Sequence, residues 1–553
     1  MNISSKSPDE SGLWDFLKQL EKRISQIEAH LGLTPTVSEM PAAAPSPAVR
    51  SEKEAEEDLE LHIGQQWFSR IGILVLTVGM MLLLMLPYEG VPAVVPSLFG
   101  FVLTAGVMGL SYFWRTTFEN LSRYMLGAGM VILYVAALRL HFWGGEAVIA
   151  SRTAVVMLLL VVVALQLITA VRRNSVSLSG LSLLMGYGVA LISDQPYLLF
   201  MIVAVMSAAT AYLNIKYGWQ NLIFLGIFLS YLSHFLWFLN NPLLGHPLQL
   251  VESPFGNVYF VLIYMAIFAL GILYRHPSLP ENARTISSAF FACFGGYGLF
   301  LILTVLKFPA HLALSHVLAS LLLLGAAMLF WKREQSRYAT FFYAMSGYAA
   351  LSVAIIARFE SPDFFVWLSW QSIVVISTAI WFRSKFIIVA NFFIFLLILL
   401  AYVIVAGKVS TVSIGLGIVA LLSARILNWQ KDRLELRTDF MRYAYLVTAF
   451  FIFPYALYHS VPEAYVALSW IGVSVFYYLM SVWLKNNKYR WMALLNLILT
   501  VLYLFVMGSS QLDPVLRVVS FLILGVVLLL ISLAYNRMRM KRETKAPNPP
   551  ESN

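Results

Sequence analysis

From Trp67 onward the chain is a succession of apolar runs, each about 18–23 residues long, the length an α-helix needs to cross the hydrocarbon of a bilayer. The runs fall at 68–87, 93–114, 122–143, 151–171, 176–193, 196–215, 218–239, 256–275, 284–306, 309–331, 337–357, 363–382, 384–406, 409–428, 440–459, 463–484, 488–508 and 513–535. The pattern predicts an all-α, polytopic transmembrane bundle of about eighteen spans. Composition agrees. Hydrophobic residues make up 60% and charged residues 12%, against roughly 25% charged in a soluble domain. So apolar a chain has too little polar surface for water.

The loops between the runs carry a second pattern. Alternate loops hold Arg115 and Arg123, Arg172 and Arg173, Lys216, Arg275 and Arg284, Lys332, Arg333 and Arg337, Arg383 and Lys385, Lys431 to Arg442, and Lys485 to Arg490. The intervening loops carry acids instead: Glu89, Glu146, Asp194, Glu252, Glu360, Asp363, Glu463 and Asp513. By the positive-inside rule both termini are expected in the cytoplasm of a bacterial inner-membrane protein. The formal charge of +10 does not indicate nucleic acid, because the basic residues are scattered and form no stripe. The basic tail, 537–553, is expected against anionic headgroups.

Ahead of the first run lies a different kind of sequence. Leu13, Leu17, Leu20, Ile24, Ile27 and Leu31 form a heptad seam. Residues 1–33 therefore read as an amphipathic or coiled-coil helix, with 13–31 open to self-association or to a partner protein. Residues 34–60 read as a Pro/Ala-rich, then acidic, linker. The first 60 residues lack an apolar signal core, so no cleavable signal peptide is expected.

The chain also repeats itself. "FESPDFFVWLSW" begins at Phe359, and "HSVPEAYVALSW" begins at His459. Pro362 matches Pro462, Asp363 matches Glu463, and Leu368-Ser369-Trp370 matches Leu468-Ser469-Trp470. "SRYATFFYAMSGY" from Ser336 similarly parallels "MRYAYLVTAFFIF" from Met441. The expected organisation is an N-terminal membrane part, 61–336, followed by two four-helix units, 337–439 and 440–536, in the same orientation. Asp363, Trp370, Glu463 and Trp470 are then architectural pairs. The prolines start helices, the acids favour the positive ends of the helix dipoles, and the indoles pack.

"IGQQWFSRIGILVLTVGMMLLLM" from Ile63, with "GAGMVILYVAAL", "SLSGLSLLMGYGVALI", "YGWQNLIFLGIFLSYL" and "WLSWQSIVVISTAI", resembles a bacterial family of predicted membrane proteins, domain of unknown function 2339. Trp67, Arg70, Gly72 and Gly79 carry the most specific part. The resemblance implies an N-terminal coiled coil, a low-complexity linker and a long helical membrane body; it implies no activity. The family's Gly-Gly-Phe then Pro pattern near the fifth helix is replaced here by "MGYGVALISDQP", with the proline delayed to Pro196.

Chemistry has few footholds. No phosphate-binding loop, H-E-x-x-H, G-x-S-x-G or C-x-x-C motif is present. Cys293 is the single cysteine, which excludes an intramolecular disulfide and a thiolate metal cluster. No cofactor or metal is expected. What remains is polar groups inside the runs, functional candidates by default: Arg139, His141, His234, His311, His316, Arg425, Gln166 and Gln371. Arg139, His141 and His234, with Glu146 beside them, are expected to gather on the acid-bearing side around one ligand cavity. No acid sits at mid-run, which weighs against ion-coupled transport. The chain thus reads as a protein that binds or translocates a lipid-like or envelope-precursor amphiphile, with membrane lipids as its partners. Two alternatives stand beside this: an integral-membrane transferase using a lipid-linked donor, and a scaffold recruiting partners through its N-terminal helix.

Overall fold

The structure, a computed structural model, describes residues 68–143, 147–274, 281–334, 336–405, 412–429, 439–506 and 518–527, with five residues inside 19–26. Apart from those five residues, the expected N-terminal helix, the linker, Glu146 and the basic tail lie outside the described residues. Among the described residues there is no strand. Among the described residues from 68 onward the helices are α1 (Phe68–Met85), α2 (Val94–Phe113), α3 (Glu119–Arg139), α4 (Arg152–Arg172), α5 (Val176–Ser193), α6 (Pro196–Tyr217), α7 (Gln220–Phe238), α8 (Asn257–Leu273) and α9 (Ala283–Lys307). They continue with α10 (Pro309–Arg333), α11 (Arg337–Arg358), α12 (Phe364–Trp381), α13 (Lys385–Val405), α14 (Val412–Trp429), α15 (Asp439–Ser460), α16 (Glu463–Trp483), α17 (Asn487–Val506) and α18 (Val518–Val527). Among the described residues, fourteen helices are long and apolar enough to cross a membrane. The first seventeen predicted runs each coincide with one helix, the ends agreeing within four residues.

Local chemistry sets the boundaries. Ser151, Ser175 and Ser336 each precede a helix and accept a hydrogen bond from a backbone N–H three residues on, which satisfies a donor the first turn cannot. Pro196 starts α6 at a position where a missing N–H is harmless. Gly218 ends the same helix with φ +70°, a left-handed conformation that suits glycine. Two π-turns interrupt the pattern, at Phe291–Gly295 within α9 and at Phe330–Glu334 ending α10.

One core runs through the bundle from Tyr134 to Ala493, and a smaller one joins α16, α17 and α18. Two devices hold the helices together. Small residues permit close approach: a Cβ on Gly271 of α8 would come within 2.7 Å of the Ala211 Cβ on α6. Buried amides and hydroxyls then bond a neighbouring helix. Gln166 donates to the Met130 carbonyl at 2.9 Å, Asn214 to Gly271 at 3.1 Å, and Tyr231 to Ala292 at 2.7 Å. Tyr187, Ser230 and Ser207 form a buried hydroxyl chain with links of 2.8 and 2.7 Å across α5, α7 and α6. The outward faces are apolar too, with Leu74, Phe113, Val161, Met201, Leu397 and Trp483 exposed.

Candidate functional site

An ion-paired cluster forms where α3, α5 and α7 end and α4 begins. Asp194, which follows α5 in a left-handed conformation (φ 53°), is its hub. The Arg152 guanidinium, from the first residue of α4, meets one Asp194 carboxylate oxygen at 3.2 Å, and its Nε–H donates to the Ile192 carbonyl at 3.0 Å. His246, on the connection between α7 and α8, reaches the same carboxylate oxygen at 3.3 Å. These three side chains are 34%, 25% and 40% exposed for Arg152, Asp194 and His246, so the group is open to solutes. The connection carrying His246 is anchored beside the cluster. Asn241 donates to the Leu191 carbonyl at 2.8 Å, and the Val251 N–H to Phe238 at 2.9 Å. Leu243 and Leu248 project from it, 67% and 74% exposed.

The expected residues fall in three different settings. Arg139 is 3% exposed and turns to α1, not to an acid. Its Nη1 donates to the carbonyls of Leu84 and, at 3.1 Å, Leu86, while the guanidinium lies 5.1 Å from the Tyr88 ring. The last carbonyls of a helix have no partner of their own, and a cation is favoured there. That is a sufficient physical reason for a buried arginine. His141 is half-buried, with Nδ1 2.9 Å from the Ile149 carbonyl. Phe142 beside it touches Arg152, whose guanidinium is 5.6 Å from the ring centre. Through Phe142 the His141 segment therefore borders the Asp194 cluster, whereas Arg139 turns to the end of α1.

His234 stands apart. It is fully buried in α7, one turn before the helix ends. Phe200 stacks on its ring at 4.8 Å, with Trp237 and Tyr264 edge-on at 5.6 and 5.8 Å. Neither ring nitrogen has a well-formed hydrogen bond; the Asn257 amide is the polar side chain that faces it. The hydrogen-bond and ring partners of Arg139 and the ring partners of His234 have no residue in common.

The remaining candidates have local settings. His316 Nδ1 is 2.9 Å from the Leu312 carbonyl, His311 packs on Phe255, Gln166 joins α4 to α3, and Arg425 is exposed on α14. Of the matched pairs, Asp363 and Glu463 are exposed at helix starts, whereas Trp370 is 40% exposed and Trp470 only 7%. Among the described residues no cluster of three His, Cys, Asp or Glu could hold a metal ion.

Arg152 and His246 were not singled out from sequence. A signal for both was present: they are basic groups on the side where the connections carry acids. An exception to a charge bias is where an ion pair is to be sought. The chain is, in class, a long all-helical bundle with a small ionic cluster at one set of helix ends. No family model, characterised protein or solved structure matches it.

Proposed function

We propose that this chain is a multi-pass protein of a bacterial inner membrane that binds or translocates a polar-headed, lipid-like amphiphile at the Asp194 cluster. Helices apolar both inside and outside favour a lipid solvent. The charge alternation favours eighteen spans with both termini cytoplasmic, which puts Asp194, Arg152 and His246 at the outer face. The motif resemblance to domain of unknown function 2339 is the reason to place the chain in bacteria, and the matched segments favour two parallel four-helix units at 337–439 and 440–536.

The observation that carries the reading is the shared carboxylate of Asp194, held by Arg152 and His246 over an apolar body. Mixed charges at the rim of an apolar surface suit a molecule with a polar head and a hydrocarbon tail. The exposed Leu243 and Leu248 lie on the same connection as His246, where a tail can pack.

The test is lipid retention. Full-length protein purified from bacterial membranes should carry one lipid class enriched over the bulk, identified by mass spectrometry. Asp194→Ala should remove that enrichment without lowering yield, since ion pairs this exposed contribute only about 0–1 kcal/mol to stability. A bulk-like lipid profile in the wild type would end the proposal.

A further inference from the structure

Helices α11, α12 and α13 enclose a cavity of about 260 Å³. It lies near mid-helix: Tyr348 is the twelfth of 22 residues in α11, and Gln371 the eighth of 18 in α12. Its polar floor is made by Ser352, Gln371, Ser372 and Asn391, and no charged side chain lines it. The other lining side chains are mostly aliphatic, Leu368 and Ile398 among them. It opens along the face where Ala349 and Ile394 are exposed.

The floor is preorganised. Gln371 donates from Nε2 to the Tyr348 carbonyl at 2.8 Å, and its Oε1 is 3.1 Å from the Ser352 hydroxyl. Asn391 Nδ2 donates to the Ser372 hydroxyl oxygen at 2.8 Å. By valence each carboxamide carries a second N–H, and the Gln371 oxygen a second lone pair. Such a floor both donates and accepts, as a hydroxyl does. A phosphate-bearing lipid would bring a negative charge to mid-helix with no cation lining the cavity, at a cost of a few kcal/mol. An uncharged lipid can place its head at that depth.

We propose that this cavity binds the head of an uncharged, hydroxyl-bearing lipid that enters sideways from the bilayer. The inference rests on the membrane reading above but not on the Asp194 cluster, which is a separate site. The test uses full-length protein in nanodiscs doped with a diazirine-bearing diacylglycerol. Photolabel should fall within residues 337–405. Gln371→Leu removes a floor group. Ala349→Phe narrows the mouth and removes no hydrogen bond. Gln371→Leu should lower labelling roughly tenfold, as expected for one or two lost hydrogen bonds, and Ala349→Phe should lower it at least as much by blocking entry. Should Gln371→Leu fail to fold, Ala349→Phe decides alone. Asp194→Ala should leave this labelling unchanged while removing the lipid retention described above, so each proposal can fail without the other. Label spread over other helices, label insensitive to Ala349→Phe, or equal labelling by a phosphatidylglycerol with the same chains would overturn the proposal.

Discussion

Helices α11–α13 and α15–α17 begin from matching sequences and have different interiors. Pairing Arg337-Tyr338 with Arg442-Tyr443, and Leu368-Ser369-Trp370 with Leu468-Ser469-Trp470, sets them side by side. Some of the joinery is the same. Ser369 bonds the Val366 carbonyl and Ser469 the Val466 carbonyl, both at 2.7 Å. A similar bond sits two residues further along in the second region: Asn391 bonds Ser372 and Asn496 bonds Ser474, both at 2.8 Å. The difference lies one residue along. In the first region Trp370 faces outward and Gln371 turns in to hold the Tyr348 carbonyl. In the second, Trp470 turns in, donates to the Pro454 carbonyl at 2.9 Å and packs 5.1 Å from Tyr503. Ile471 stands where Gln371 would be, and Leu457 where Ser352 would be. A common clasp thus supports a polar hollow in one place and an indole in the other.

The comparison can be broken most directly at the tryptophans. Trp470→Ala removes a buried indole and its hydrogen bond, and should cost about 3–5 kcal/mol. Trp370→Ala should cost less than about 1 kcal/mol, because its ring is 40% exposed. Thermal unfolding of the purified protein in detergent reads both. Equal shifts would mean that the two rings do the same job and that the contrast is false.

A smaller effect sharpens the contrast at the neighbouring position. Ile471 is 3% exposed in an apolar setting with Leu497 and Leu504. Ile471→Gln places there the amide that Gln371 uses in the other region. Without a carbonyl positioned to receive it, the amide should destabilise by about 1–3 kcal/mol. If the variant is as stable as wild type, the second region can accept the floor of the first, and the divergence between them is drift.

Helix existence and boundaries were legible from sequence because run length and serine or proline punctuation decide them locally. Side-chain direction was not. Around Trp370 and Trp470 the helices are apolar on every side, so no stripe marks which residue faces inward. One residue is a rotation of about 100°, and that rotation separates an exposed indole from a buried one. The ionic cluster was half legible. Asp194 stood among the acids of its side, but Arg152 lies 42 residues away along the chain and comes to Asp194 only through packing of α4 on α5. The role of Arg139 was hidden for a similar reason. Its partners are backbone carbonyls more than 50 residues upstream, which no side-chain pattern can announce.

The smallest effect concerns the acids of the matched pairs. Asp363 immediately precedes α12, and Glu463 opens the short 3₁₀ turn with which α16 begins. Neither α12 nor the turn at Glu463 shows a side-chain cap at its start, so each acid acts on the helix through the field of the unpaired N–H groups. Both are exposed, and that interaction is worth about 0.3–1 kcal/mol at low salt. Asp363→Asn and Glu463→Gln should therefore lower stability by similar small amounts, and the losses should shrink as salt is raised. Lipid retention should be unaffected by either. If Asp363→Asn alone abolishes diacylglycerol labelling, its carboxylate belongs to the entry route of the α11–α13 cavity, and the two acids, like the two tryptophans, serve different ends.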